Sequence, residues 1–355
     1  MSAFTSHVDS FVRDRLPPPD QLPVFRFDLA DLSYPERLNC ATELLDRRAE
    51  RHPERRCLIG EGESWTYGEL LERANRIAAG LVEDLGVAPG TRVMLRGWNG
   101  PMLVACWYAV MKAGGVAVTT MPLLRAGELT SMIAKAEIGV ALCDAELRAD
   151  LDRANSGEGP SIQICCFGEG EELDSIAASK PPRFANVDTF ADDPCLIAFT
   201  SGTTGEPKGA VHLHRDVLAC CDCVPGDVIR PTSEDVFIGS PPLGFTFGLL
   251  GLACYPIWAG ASSVLLERPT PDPLLEAIAT HRATVCFTAP TTYRAWLGAL
   301  DGHDILSLRV AISSGEALPP STWTAFKQAT GIEILNCLGS TEMLHSFIST
   351  ADCAG

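Results

Sequence analysis

Positive charge is in short supply. Across 355 residues, 28 Lys and Arg stand against 45 Asp and Glu, a formal net charge of −17. So acidic a surface repels phosphate backbones and anionic headgroups, which argues against nucleic acid or a membrane as a partner. Paired C-x-x-C units are also missing. The 14 cysteines fall in apolar runs or in the groups Cys165-Cys166 and Cys220-Cys221-x-Cys223. A chain this long needs no disulfide framework, so they read as reduced core thiols of a cytoplasmic protein. Their spacing gives no support to zinc at Cys220, Cys221 and Cys223. His212-x-His214 has no evident third ligand and is not read as a metal pair. The first ten residues lack a basic region ahead of an apolar one, so no signal peptide is expected. There is no short-period repeat. One uncharged run, Val236 to Leu266, could span a bilayer by length. Pro241-Pro242 and Pro256 interrupt it, and a buried strand–loop–helix–strand fits better.

What is present is globular. Hydrophobic residues make up 46% and charged residues 21%, enough for a large core in about two units. The densest cluster of chemistry is Thr200-Ser-Gly-Thr-Thr-Gly-Glu-Pro-Lys-Gly209, directly after the apolar run Leu196–Phe199. Glycines allow close backbone approach, and successive N–H groups in such a turn form an anion cradle. The hydroxyls of Thr200, Ser201, Thr203 and Thr204 add neutral donors, and Lys208 adds a point charge suited to phosphate. A polyphosphate is the expected guest. A Walker A loop is excluded, because Lys208 is followed by Gly209 and then by the strand-like alternation Ala210–His214.

The chain divides into an extended segment 1–35, a first β/α unit 36–190 and a second β/α unit 191–355. Thr66-Tyr-Gly-Glu69 predicts a capping box ahead of a long helix. Strands are expected at 92–96, 116–120, 138–143 and 162–167, with 156–193 as a linker. A second array is expected at 195–199, 236–238, 263–266, 284–288, 308–312 and 333–336. Two successive arrays imply an α/β fold with two mostly parallel sheets and helices packed on their faces. Ligands in such sheets bind beyond the carboxyl ends of strands. Thr200–Gly209, Ser313–Ala317 and Leu338–Glu342 each follow a strand assigned to the second array, and are expected to converge.

The decapeptide at Thr200 closely resembles the phosphate loop of acyl-adenylate-forming (AMP-binding) enzymes, and Asn336-Cys-Leu-Gly-Ser-Thr-Glu342 resembles a second motif of that family. The resemblance runs from about Glu36 to the last residue and is strongest to the benzoate–CoA and 2-aminobenzoate–CoA ligases. It implies the large N-terminal domain of that fold, and ATP, Mg²⁺ and coenzyme A as reaction partners. Ser201, Gly202, Thr203, Thr204 and Gly205, with Thr200, would hold phosphate. Gly315, Glu316 and Ala317 would line adenine, and Asn336, Leu338 and Gly339 would also belong to the nucleotide site. Thr341 would touch the α-phosphate and Glu342 would hold Mg²⁺, with Lys208 completing the catalytic set.

Pro241–Gly248 resembles the family's aromatic gate. Phe245, Phe247, Gly248, Gly339, Met343 and His345 are implied as substrate-pocket residues. No acidic residue occurs between Pro241 and Leu266. An α-ammonium would be left unpaired there, so amino acids are poor substrates. An aryl amine is neutral and raises no such objection.

The same likeness implies a ribose-binding aspartate, a hinge and a small C-terminal domain with a catalytic lysine. None is found before Gly355. The expectation is therefore an incomplete ligase, weakly active or inactive alone, that activates an aromatic carboxylic acid. The alternatives are a remnant that binds ATP, AMP or aryl acid without turnover, or a ligase for another carboxylate that is not an amino acid. Oligomeric state is not legible.

Overall fold

The computed structural model describes residues 4–26, 32–156, 161–200 and 207–349. Its strands in chain order are β1 Arg56–Ile59, β2 Ser64–Thr66, β3 Arg92–Arg96, β4 Val116–Thr120, β5 Val140–Asp144, β6 Gln163–Phe167 and β7 Pro194–Thr200. There follow β8 Lys208–Leu213, β9 Val236–Gly239, β10 Ser262–Val264, β11 Val285–Thr288, β12 Val310–Ser313, β13 Ile334–Gly339 and β14 Ser346–Ser349.

Six strands form one sheet in the order β6-β5-β3-β4-β7-β8, and eight form another in the order β14-β13-β12-β11-β9-β10-β1-β2. Pairing is parallel except at β7–β8, β13–β14 and β1–β2. Near-continuous apolar runs at β3 and β4, every residue buried, suit parallel strands covered on both faces.

Three apolar layers hold the sheets. The central one includes the helices Tyr67–Glu83 and Pro101–Lys112 together with the helical turns Leu249–Cys254. Pro101–Lys112 is buried on almost every side, as its largely apolar sequence requires, and its one charge, Lys112, is paired with Asp46. Ala126–Ala136 and Arg148–Asn155 cover the outer face of the six-stranded sheet. Pro271–His281, Pro290–Trp296 and Pro320–Thr330 cover the outer face of the other.

The capping box forms as expected. Thr66 Oγ1 accepts from the Glu69 amide at 3.2 Å, and the Thr66 amide donates to the Glu69 carboxylate at 2.7 Å. The uncharged run Val236–Leu266 folds as strand, loop, helical turns and strand. Among the described residues no helix is long and apolar enough to cross a membrane. The N-terminal segment runs across the surface, with the Val8 and Asp9 amides donating to the Pro89 carbonyl.

Sheet membership departs from the expected arrays. β7, placed in the second array by its position in the chain, pairs with β4 in the six-stranded sheet (Ala117 with Leu196, Thr119 with Ala198). β1 and β2, neither anticipated from the sequence, complete the eight-stranded sheet, β1 pairing with β10 through Leu58 and Ser263. The physical reason is that apolar strands buried on both faces are interchangeable by composition, and only register distinguishes them. The stretch read as a linker contains the helix Glu172–Ser179. Its Ile176 side chain packs against Gly80, where a side chain would collide.

Candidate functional site

Strands β9, β11, β12 and β13 end along one edge of the eight-stranded sheet. Register pairs Phe287 with Gly239, Thr288 with Ser313, and Ser313 with Asn336. The loops that leave these strands are therefore neighbours, at the carboxyl edge where such sheets bind ligands. After β12 the chain turns at Gly315, whose φ of 89° suits glycine. Gly315, Glu316 and Ala317 are exposed there, and so are Asn336 and Leu338 on β13.

After Gly339 a tight turn forms. The Met343 amide donates to the Ser340 carbonyl at 3.2 Å, and Leu344 donates to Thr341 at 3.0 Å. Leu344 adopts a left-handed φ of 65° to close it. This geometry buries Thr341 and presents Glu342 and Met343 to solvent. Gly339 is required where it stands, because a side chain would press on the His345 carbonyl, 2.9 Å away.

The lysine arrives from the other sheet. β7 and β8 form an antiparallel hairpin that pairs Thr200 with Lys208, and Lys208 is exposed. Ser201, Gly202, Thr203, Thr204 and Gly205 lie outside the described residues. His212, further along β8, joins this hairpin to the turn after β13. Its Nε2–H donates to the Thr341 carbonyl at 2.8 Å. Burial drives the His212 pKa down to about 4, against opposing pulls from the Thr341 carbonyl and the Glu342 charge. The ring is thus a neutral donor at physiological pH. No ion pair joins Lys208 to Glu342 among the described residues, which leaves an exposed cation and an exposed carboxylate on one connected rim.

The segment Pro241–Gly248, read from sequence as a gate, spans both sheets. The Asn99 side chain, from the loop after β3, accepts from the Leu243 amide at 2.7 Å and donates to the Pro241 carbonyl at 3.0 Å. Gly244 lies directly on the Thr120 carbonyl at the end of β4, and Gly248 lies on the Pro242 carbonyl. Ser240 and Thr288 hydroxyls share a 2.6 Å bond at the base of the gate.

Phe245 is exposed, whereas Phe247 is half-buried, with its ring centroid 5.2 Å from that of His345. Tyr255 and Phe287 enclose the same imidazole at 4.8 and 6.0 Å. Burial lowers the His345 pKa to about 3, against a weaker pull from the Phe247 backbone. Neither of its nitrogens, nor the Tyr255 hydroxyl, has a partner within hydrogen-bonding geometry. Phe247, Tyr255, Phe287 and His345 thus form a packed aromatic cluster that holds a neutral imidazole and a phenol directly behind the segment Pro241–Gly248.

The structure thus gathers Thr341, Glu342, Met343 and His345 with the gate and the Gly315 turn, and ties Lys208's strand to them. Sequence reasoning missed Asn99, His212 and Tyr255. Asn99 reads as an ordinary residue before a helix, and Tyr255 as core. His212 offered a signal in the alternation of Ala210–His214, which set its ring on one face of an edge strand, but its partner is remote in sequence.

A family model described as AMP-binding enzyme matches residues 45–354. The chain is 31% identical over 325 residues to the benzoate–CoA ligase of Thauera aromatica, across 90% of this chain and 62% of that protein. It is 28% identical over 320 residues to the 4-hydroxybenzoate–CoA/benzoate–CoA ligase of Rhodopseudomonas palustris, across 88% and 59%. The solved anthranilate CoA ligase AuaEII, in complex with anthranoyl-AMP, has a TM-score of 0.86 at 28% identity, covering 91% of this chain and 64% of that one. A benzoate CoA ligase from Burkholderia xenovorans LB400 has a TM-score of 0.80 at 27% identity, covering 88% and 63%. The chain spans about three fifths of the length of the curated relatives it matches.

Proposed function

The chain belongs to the AMP-binding enzyme family, and from that premise we propose that it activates an aromatic carboxylic acid, benzoate or 2-aminobenzoate, with ATP. The product is an acyl-adenylate, which coenzyme A converts to the aryl-CoA thioester. This chain supplies the nucleotide- and acid-binding part of the site. The observation that carries the reading is the bond from His212 to Thr341, which fastens the strand of Lys208 beside Glu342.

In the first step a carboxylate oxygen attacks the α-phosphorus in line, and pyrophosphate leaves. Such a transfer depends on positioning and on stabilising charge. Lys208 and the hydroxyls of Thr200–Thr204 hold the phosphates, and Thr341 orients the α-phosphate. Gly315, Glu316 and Ala317 receive the adenine, with Asn336, Leu338 and Gly339 beside them. Phe245, Phe247, Gly248, Met343 and His345 enclose the aryl ring. In the second step the CoA thiolate attacks the acyl carbon and AMP leaves.

Glu342 is an exposed hard oxygen donor with no ion-pair partner among the described residues, and its donor chemistry fits Mg²⁺. When bound, that ion would neutralise charge on the polyphosphate. The gate carries no acidic residue, so an α-ammonium would be buried unpaired. The described cysteines are free thiols, in keeping with the reducing cytoplasm.

The test is calorimetric titration with non-hydrolysable sulfamoyl analogues of benzoyl-, 2-aminobenzoyl- and alanyl-adenylate. The aroyl analogues are expected to bind at least roughly tenfold more tightly than the alanyl one, a gap of about 1.4 kcal/mol. Equal affinity, or no binding of the aroyl compounds, would overturn the assignment.

A further inference from the structure

Away from the nucleotide site, three potential metal ligands meet in the interior. Cys40 opens the helical stretch that leads into Thr42–Asp46 and Arg47–Arg51. Cys195 lies on β7 where its register with β8 shifts, the kind of irregularity that re-aims a side chain. His214 is the first residue of the helix His214–Cys223, immediately after β8. The two sulfurs and a ring nitrogen all lie within 4.8 Å of one another, and each residue is fully buried. His214 Nδ1 is 3.2 Å from Cys40 Sγ and also accepts the Cys40 amide at 3.2 Å.

We propose that Cys40, Cys195 and His214 bind a thiophilic d¹⁰ cation, Zn²⁺ or Cu⁺, that staples the N-terminal helix to the base of the hairpin carrying Lys208.

Distance and chemistry both support this. Bonds of about 2.3 Å to sulfur and about 2.0–2.1 Å to nitrogen put neighbouring donors roughly 3.5–4 Å apart, so the cluster closes on an ion with shifts of a few tenths of an ångström to an ångström, once His214 Nδ1 gives up the Cys40 amide and turns its lone pair to the metal. Two thiolates with one imidazole are the soft donors that select Zn²⁺ and Cu⁺ over Mg²⁺. Burial raises the Cys40 thiol pKa, but the Cys195 thiol and the His214 ring outweigh it and hold Cys40 below the usual thiol range. Binding Zn²⁺ releases two thiol protons and leaves a neutral buried centre. Cu⁺ is content with three ligands, whereas Zn²⁺ wants a fourth. Among the described residues no further His, Cys, Asp or Glu joins the cluster, so Cu⁺ fits the set as it stands and Zn²⁺ would draw its fourth ligand from solvent. Cys195 and His214 meet only across the base of the β7–β8 hairpin, and Cys40 comes from far upstream, which is why neither C-x-x-C spacing nor the pair His212-x-His214 revealed them.

The whole chain, purified reduced and stripped with chelator, would be incubated with Zn²⁺ alone, or anaerobically with Cu⁺ alone. After desalting, metal would be counted by mass spectrometry. Wild type and the control Cys286→Ala, which lies in the separate core of the eight-stranded sheet's outer face, should each retain about one equivalent. Cys40→Ser and Cys195→Ser should retain at least roughly tenfold less. A Co²⁺-loaded wild type should show sulfur-to-cobalt charge-transfer absorption that both serine variants lack. Wild type that retains neither cation overturns the proposal even if a variant fails to fold, and so does full retention by both serine variants.

Discussion

Lys208 stands at the first position of β8 with its side chain in solvent, so it can be removed without disturbing the core. Its value lies in the charge it brings to an otherwise acidic molecule. A hydrogen bond to a charged group contributes about 1.5–3 kcal/mol. Lys208→Ala is therefore expected to weaken ATP binding roughly ten- to a hundredfold while leaving the melting temperature within a degree or two of wild type. Calorimetric titration and differential scanning fluorimetry check the two halves, and unchanged ATP affinity would remove Lys208 from the site. At this scale the family was legible in the sequence where several chemically unusual residues were adjacent, as at Thr200–Gly209 and Asn336–Glu342. It was silent on His212. A single histidine on an edge strand shows its face but not its partner, and Thr341 is far along the chain.

The gate segment Pro241–Gly248 is positioned by the Asn99 hydrogen bonds and by close backbone contact. Gly244 rests on the Thr120 carbonyl of the six-stranded sheet, while the strand that feeds the gate, β9, belongs to the eight-stranded one. A methyl group at Gly244 meets backbone that cannot rotate aside, so the whole segment must move. Overpacking of this kind costs about 1–3 kcal/mol. Gly244→Ala should lower stability by that amount, measured by urea unfolding, and should also weaken aroyl-adenylate binding by displacing Phe245 and Phe247. A variant of wild-type stability and affinity would show that the gate is not held there. Sequence placed most strands and helices within a few residues, because glycine and proline punctuate them. It did not place β7 in its sheet, since Leu196–Phe199 would fill any doubly buried position equally well. The helix Glu172–Ser179 was hidden by the Gly-, Glu- and Pro-rich sequence around it.

Over the whole molecule, an acidic surface encloses an interior where ionisation is suppressed. His345 is the clearest case, caged by Phe247, Tyr255 and Phe287 with its pKa lowered to about 3. The unfolded chain would protonate this ring near its usual value of 6.5, and the folded chain does not until far lower pH. The unfolded state therefore binds the extra proton across that window. Stability is fully present above about pH 6.5 and is lost as pH falls toward the folded pKa, by roughly 1.4 kcal/mol per pH unit for one proton. Other buried groups shift in both directions, so the difference between two proteins isolates this ring. His345→Phe keeps an aromatic side chain in an aromatic cage and deletes the titration. Between pH 6.5 and 5 the variant should lose less stability than wild type, by a margin that widens at about that slope. Urea unfolding at half-unit pH steps measures it. Parallel curves would mean that His345 is protonated in the folded protein, and that the pocket is wetter than its aromatic walls imply.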